Sequence, residues 1–206
     1  MKTLKLTAKD FKETNSYYKE YIGKTDVSDY DGHIEIEGGL GYVNFESLKA
    51  TGSIIAKAGS GIEAGLGIEA GEGIKAGDGI KAGEGIKAGS GIEAGWGIEA
   101  GSGIEAGEGI EAGSGIEAGS GIEAGWGIVA ALSITAKKSI VCSLLIFAGV
   151  CHWRLADEDE KKITCSKLES GTVAYGILVE TGEAKEVAEI EGEIITLNGK
   201  KYKAID

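Results

Sequence analysis

Isoleucine recurs at every sixth residue from Ile62 to Ile146, and a small residue follows two positions after each one. Between residues 59 and 130 the chain consists of twelve copies of Gly-x-Gly-Ile-z-Ala, in which only x and z vary. A period of six does not fit a helix, and two glycines per copy would cost a helix about 2 kcal/mol relative to alanine. In an extended strand, Ile and Ala lie on one side and z on the other. The pattern therefore predicts short β-strands whose Ile and Ala side chains form the core.

Position x indicates where each strand ends. It has the same parity as Ile and would point inward if the strand continued, yet it is occupied by side chains as different as Ser60, Leu66, Glu72 and Trp96. Because no single core position accepts that set, we expect the chain to turn near x, with the flanking glycines supplying backbone freedom. Each hexad is then one strand and one corner, and stacked coils form a parallel β-solenoid.

The charges at z predict how many hexads make one coil. From residue 63 onward they read E, E, K, K, K, E, E, E, E, E, E, V. Stacked strands bring equivalent z residues to about 4.8 Å, where like charges repel. Two hexads per coil would stack Lys75 on Lys87, whereas three give ladders in which every lysine contacts a glutamate. We therefore predict a triangular solenoid with 18-residue coils, in which fifteen hexads make five coils over about 24 Å.

This architecture resembles that of the hexapeptide-repeat parallel β-helices, which also use three six-residue strands per coil. Those proteins usually place a small residue two positions before the aliphatic one, where this chain has the variable x, so the resemblance covers the architecture and not the motif. The Gly-Ile-z-Ala array is also similar to low-complexity repeats in proteins of phages and mobile elements.

The ends of a solenoid need covering because they expose unpaired strand edges. We predict an N-terminal cap over residues 1–47, with a helical segment in residues 8–22 and a hairpin in residues 29–45. The solenoid is predicted over 48–150. Residues 151–206 are predicted to form a C-terminal β cap or dimerisation unit, in which Asn198 and Gly199 favour a hairpin turn.

Apolar residues at outward positions of the last hexads indicate that this surface is covered. They are Leu132, Val141, Leu144 and Phe147. A homodimer would cover them, and so would residues 155–206 of the same chain.

The sequence gives little support for catalysis. The resemblance to hexapeptide β-helices implies an acyltransferase as one function, with a histidine as general base. The only histidines are His33 and His152, and both lie outside the array. Cys151 and His152 are adjacent and would point to opposite faces of a strand, and the acidic run at 157–160 is typical of a solvated loop. We therefore expect no enzymatic activity, no metal and no cofactor.

The charge is unevenly distributed. The chain has a net charge of −12, which disfavours direct binding to nucleic acid or to anionic membranes. Residues 59–130 contribute −9 of it, from twelve acids and three lysines, and no basic residue lies between Lys87 and Lys137. The candidate partner-binding residues in this part are Glu93, Glu99, Glu105, Glu108, Glu111, Glu117 and Glu123, with Trp96 and Trp126 as candidate anchors at corners.

Two interpretations of this acidic surface remain. It can serve solubility by keeping a regular β-rod from self-association. It can also imitate the phosphate backbone and occupy the basic cleft of a nuclease, a topoisomerase or a CRISPR effector. In that second function the chain resembles acidic solenoid DNA mimics, such as the pentapeptide-repeat proteins, and phage anti-defence (anti-CRISPR-like) inhibitors.

A self-assembling scaffold like the bactofilins is the alternative function, with the acyltransferase as third choice. The distinct sequences at the two ends favour the inhibitor. We expect a cytoplasmic location, that of the host if a phage encodes the chain. The N-terminus lacks the apolar stretch of a signal peptide, and the longest apolar run, residues 139–150, is too short to span a bilayer.

Overall fold

The protein is an all-β parallel β-solenoid of about 8 turns. The structure is a computed structural model that describes residues 1–15 and 17–182, together with the backbone of residues 195–197 and 200–202. In chain order the strands are β1 (Thr3–Leu6), β2 (Phe11–Glu13), β3 (Tyr18–Tyr21), β4 (His33–Ile36), β5 (Gly41–Phe45), β6 (Leu48–Ala50), β7 (Ile54–Ala56), β8 (Ser60–Ala64), β9 (Ile68–Ala70), β10 (Ile74–Ala76), β11 (Ile80–Ala82), β12 (Ile86–Ala88), β13 (Ile92–Ala94), β14 (Ile98–Ala100), β15 (Ile104–Ala106), β16 (Ile110–Ala112), β17 (Ile116–Ala118), β18 (Ile122–Ala124), β19 (Ile128–Ala130), β20 (Ile134–Ala136), β21 (Ser139–Ala148), β22 (Lys162–Cys165), β23 (Lys167–Tyr175), β24 (Ile177–Glu180), β25 (Ile195–Leu197) and β26 (Lys200–Tyr202). Two three-residue 3-10 helices, Ala8–Asp10 and Asp159–Lys161, accompany them.

The strands form three faces of a prism. Face A consists of β4, β7, β10, β13, β16, β19 and the end of β21; face B of β5, β8, β11, β14, β17, β20, β22 and β24; face C of β6, β9, β12, β15, β18 and the start of β21. Neighbouring strands on a face are parallel and in register, with Ile74 opposite Ile92. These partners are 18 residues apart, which confirms three hexads per coil and excludes two.

The core is the stack of Ile and Ala side chains. Every hexad strand from β9 to β18 buries both residues and exposes the one between them. Ser60, at the x position of the first hexad, differs from the later copies. There the strand continues through x and the side chain points inward, with 0 % exposure. Its hydroxyl donates to the Glu37 carbonyl at 2.7 Å and accepts from the Leu40 N–H at 3.0 Å.

From Gly61 onward the glycines of the array serve close approach between coils and not unusual backbone angles, whereas Gly59, the first of the array, has a positive φ of 75°. No glycine from Gly61 to Gly127 has a positive φ, which corrects the expectation that they supply backbone freedom. A methyl group built on Gly101, just after an Ala, would overlap the carbonyl oxygen of Gly83 in the preceding coil. One built on Gly103, just before an Ile, would lie 3.3 Å from the Gly121 oxygen. The first glycine of the hexad is therefore required because the neighbouring coil leaves no room for a side chain there, whereas the second glycine is under much less constraint.

The N-terminal residues differ from the prediction. The segment 8–22 is not a helix: after one 3-10 turn, β2 and β3 pair antiparallel, with Phe11 opposite Tyr21. The two rings pack edge to face at 5.7 Å, and both also contact Phe45. Burial of these aromatic side chains at the end of the core outweighs the weak helical pattern of the segment.

The hairpin predicted in residues 29–45 is also wrong. β4 pairs with β1 and β7, and β5 pairs with β3 and β8, so the two strands belong to faces A and B. Ile34 and Ile36 are buried on the inner side, as Val43 is on the next strand, and this pattern matches the solenoid core. The parallel ladders therefore begin before residue 48.

The ladders also continue past residue 150. β22 extends face B beyond β20, and β24 follows β22. β23 pairs with β21 with irregular register. Near the C-terminus β25 and β26 pair antiparallel, as the predicted hairpin requires, and the turn residues 198 and 199 lie outside the described residues.

Candidate protein-binding surface

The outward residues form three charged ladders, one on each face. They are Ile55, Lys75, Glu93, Glu111, Val129 and Phe147 on face A; Glu63, Lys81, Glu99, Glu117 and Thr135 on face B; and Lys49, Glu69, Lys87, Glu105, Glu123 and Val141 on face C. Every hexad lysine stacks on a glutamate of a neighbouring coil, as predicted, and none stacks on another lysine.

Each of the three hexad lysines pairs with the glutamate of the following coil. The N–O distances are 2.6 Å for Lys75 with Glu93, 3.2 Å for Lys81 with Glu99 and 2.7 Å for Lys87 with Glu105. A hydrogen bond to the Glu99 carboxylate raises the pKa of Lys81, and Glu105 does the same for Lys87. Exposed pairs of this kind contribute at most about 1 kcal/mol each.

The next coil has no such compensation. Glu111, Glu117 and Glu123 make no ion pair with any residue that the structure describes. Each stacks directly on another glutamate, namely Glu93, Glu99 and Glu105. We call these six residues, together with Glu108 on the corner before Glu111, the acidic belt.

The predicted site residues lie around the prism and not on one face. Residues six apart in the repeat occupy successive faces, so Glu93, Glu99 and Glu105 lie on faces A, B and C. Trp96 is on the edge between faces A and B, and Trp126 is on the edge between faces C and A. Both are exposed, at 65 % and 56 %. The structure therefore does not bring the two tryptophans together on one binding surface.

One edge of the prism collects four of the carboxylates. Within the acidic belt the corner residues between faces B and C are Ser102 and Ser120, which are small and uncharged, and on the same edge Glu84 precedes them and Lys138 follows them. The flanking ladder residues are Glu99 and Glu117 on face B and Glu105 and Glu123 on face C. We call this surface the serine edge. It presents two parallel rows of carboxylates with a low ridge between them, and in these rows Glu99 and Glu105 are paired with Lys81 and Lys87 while Glu117 and Glu123 are paired with no described residue.

Sequence reasoning missed the grooves on the faces. Each hexad places a corner residue, then a glycine, then a buried Ile, then the outward z residue, so a glycine row separates two rows of side chains. On face A this groove has a volume of about 610 Å³. Its floor contains Gly73, Gly91, Gly109 and Gly127. The order of residue types within the hexad was the sequence signal from which these grooves could have been predicted.

The remaining candidates for chemistry are separate from these surfaces. His152 is exposed and its ring packs on Trp153 at 4.9 Å, while Cys151 is half-buried. That this adjacent pair carries no chemistry stays a prediction. In the acidic run, a bidentate ion pair with Arg154 lowers the pKa of Glu160 to about 2. No cluster of three His, Cys, Asp or Glu suited to a metal occurs within the described part of the chain.

Comparisons with family models, curated proteins and solved structures each found no match to this chain. Of the residues that the structure describes, none form a helix long and apolar enough to cross a membrane.

Proposed function

We propose that the chain is a non-enzymatic binding protein whose serine edge occupies a basic cleft of a nucleic-acid-binding protein, in place of the phosphate backbone. The observation that supports this is the stacking of glutamate on glutamate on both sides of that edge. Occupation of the cleft would inhibit the partner by excluding its nucleic acid.

The charge density of the serine edge is comparable to that of duplex DNA, though lower. Each coil presents one outward carboxylate on face B and one on face C, or about one per 2.4 Å. Duplex DNA carries about one charge per 1.7 Å of its axis. The belt is two coils tall, about 10 Å, so it matches about three base-pair steps of duplex. We therefore propose recognition by a short basic cleft.

This arrangement opposes stability. Two unit charges 4.8 Å apart in water repel by about 0.9 kcal/mol, which is an upper bound for each of the three stacks because Glu93, Glu99 and Glu105 are also paired with a lysine. A lysine in each stack would turn repulsion into attraction, as Lys75, Lys81 and Lys87 do one coil earlier. Solubility alone does not require glutamate to stack on glutamate. The same coils have uncharged corner positions, such as Ser102 and Ser114, where charges could be placed instead.

The experiment compares two double variants with equal change of charge. Glu117→Lys with Glu123→Lys alters the serine edge, whereas Glu108→Lys with Glu111→Lys alters face A and its edge. In both variants each new ladder lysine stacks on a glutamate, so the fold should be retained. Immobilised protein is incubated with an extract of its source cells, and retained nucleic-acid-binding proteins are quantified.

We expect the serine-edge variant to lose the retained partner and the face A variant to keep it. Retention by the wild type should fall steeply with added salt. Equal loss in both variants would show that only total charge matters, and unchanged retention in both would contradict the proposal.

A further inference from the structure

Face A carries a groove with two chemically different halves. Its walls are the corner residues Glu108, Trp126 and Leu144 on one side and the ladder residues Ile55, Lys75, Glu93, Glu111, Val129 and Phe147 on the other, with Lys75 paired to Glu93. The half that contains Glu108 and Glu111 is acidic. The half that contains Trp126, Leu144 and Phe147 is apolar.

The chain itself shows what such a floor accommodates. On face B the ring of Tyr42, from β5, lies across Gly61 and Gly79, the floor residues of the first two coils. A methyl group on Gly61 would lie 2.7 Å from the Tyr42 ring, and one on Gly79 would overlap its hydroxyl. Burial in this position raises the pKa of the Tyr42 phenol. A glycine floor of this repeat therefore accommodates a flat aromatic side chain, here one presented by the neighbouring strand of the same sheet.

The floor of face A has no such occupant among the described residues. A methyl group on Gly91 or Gly109 would meet only the carbonyl oxygen of the next coil, at 3.3 Å and 3.5 Å. At the apolar end Trp126, Leu144 and Leu145 are exposed, at 56 %, 58 % and 44 %. Of the four residues predicted to be covered, the described part of the chain leaves Leu144 exposed, whereas Leu132, Val141 and Phe147 are half-buried.

We infer that the groove of face A binds an extended segment of another protein in which a lysine or arginine lies two residues from an aromatic or large aliphatic residue. Alternate residues of a strand are about 6.7 Å apart on one side. Trp126 lies one coil, about 4.8 Å, from Glu108, and Phe147 lies two coils, about 9.6 Å, from Glu111. The spacing of alternate residues falls between these distances, so it places the apolar side chain between Trp126 and Phe147 when the basic one lies between Glu108 and Glu111. The inference does not rest on the proposed function, because it concerns a different face.

Two other occupants are tested alongside. The chain's own Lys200, Lys201 and Tyr202 have a similar composition. They follow residues 183–194, which carry five acids and one lysine and would bring like charge toward Glu108 and Glu111. A second copy of the chain is the other competing occupant.

The probe is a fluorescent peptide with two alternate lysines followed by an alternate tyrosine and leucine, in a serine and glycine background. Binding to the full chain is measured by anisotropy. We expect Glu108→Lys with Glu111→Lys, and separately Trp126→Ala, to weaken binding at least about tenfold. Glu117→Lys with Glu123→Lys should change it less than about threefold. A peptide with glutamates in place of its lysines should not bind.

A photo-cross-linking residue at position 144, in place of Leu144, identifies the occupant. Adducts to the added peptide support the inference. Cross-links to residues 183–206 of the same chain, or to a second copy, would overturn it in favour of that occupant. Failure of the peptide to bind, or equal binding by all variants, would also overturn it. None of these results depends on whether the serine edge binds its partner.

Discussion

Replacing glycine by alanine at two neighbouring places in the hexad should have opposite effects on stability. In Gly101→Ala the new methyl group overlaps the Gly83 carbonyl oxygen and lies 2.9 Å from its carbon. Restoring ordinary contact requires the two coils to separate by about 1.4 Å at this corner. The hydrogen bond from the Gly101 N–H to the Ala82 oxygen, now 3.0 Å, lies in the same place and would be stretched.

The expected cost of Gly101→Ala follows from these two effects. Overpacking typically costs 1–3 kcal/mol and a lost hydrogen bond about 1 kcal/mol. Alanine also lowers the conformational entropy of the unfolded chain, which stabilises the folded protein by about 0.4–1 kcal/mol. We therefore expect a net loss of about 1–3.5 kcal/mol. Ala131, Lys137 and Ser143 occupy the same place after the array, so a corner can open where the coils depart from the repeat.

Gly103→Ala is the matched control. Its methyl group would be 3.3 Å from the nearest oxygen, and Ser133 and Ser139 occupy the equivalent place later in the chain. We expect a change between zero and a gain of about 1 kcal/mol. Denaturant unfolding followed by circular dichroism measures both variants. If Gly101→Ala is as stable as Gly103→Ala, the explanation of the repeat by close approach is wrong.

Three further predictions concern the core, a ladder and the groove tyrosine. Ile104→Asp places an unpaired charge in the core and should prevent folding or cost more than about 4 kcal/mol, as measured by thermal unfolding. Glu117→Lys replaces repulsion from Glu99 by attraction and should add about 0.5–1 kcal/mol at low salt, with the gain lost at high salt. Because burial raises the folded-state pKa of Tyr42, the unfolded chain releases this proton first and stability should fall as pH rises above about 10. Tyr42→Phe should make that fall shallower in unfolding curves recorded between pH 9 and 11.

The coil was predictable from the sequence because two independent signals agreed. The Ile and Ala positions give the inward side of each strand, and the order of Lys75, Lys81 and Lys87 among the glutamates favours three hexads per coil over two, which would stack Lys75 on Lys87. The distribution of the belt over three faces follows from the same spacing, so it too was available from the sequence.

The ends and the grooves were not predictable in the same way. Phe11 and Tyr21 lie in short segments whose pattern fits a helix as well as a strand, and their pairing is decided by contact with Phe45, far along the chain. The position of Tyr42 over Gly61 and Gly79 depends on the register of β5 with β8. Sequence also cannot distinguish a glycine needed for a positive φ from one needed for close approach.

The central claim is that stacked carboxylates on the serine edge take the place of nucleic acid in a partner's cleft. The most direct test is competition on immobilised wild-type protein that has retained a partner. We predict that short duplex DNA, added at constant ionic strength, releases the partner, and that a DNA with higher affinity for the partner does so at lower concentration. We also predict that free solenoid protein displaces DNA from the purified partner. A complex of protein, partner and DNA that forms without competition would contradict the claim.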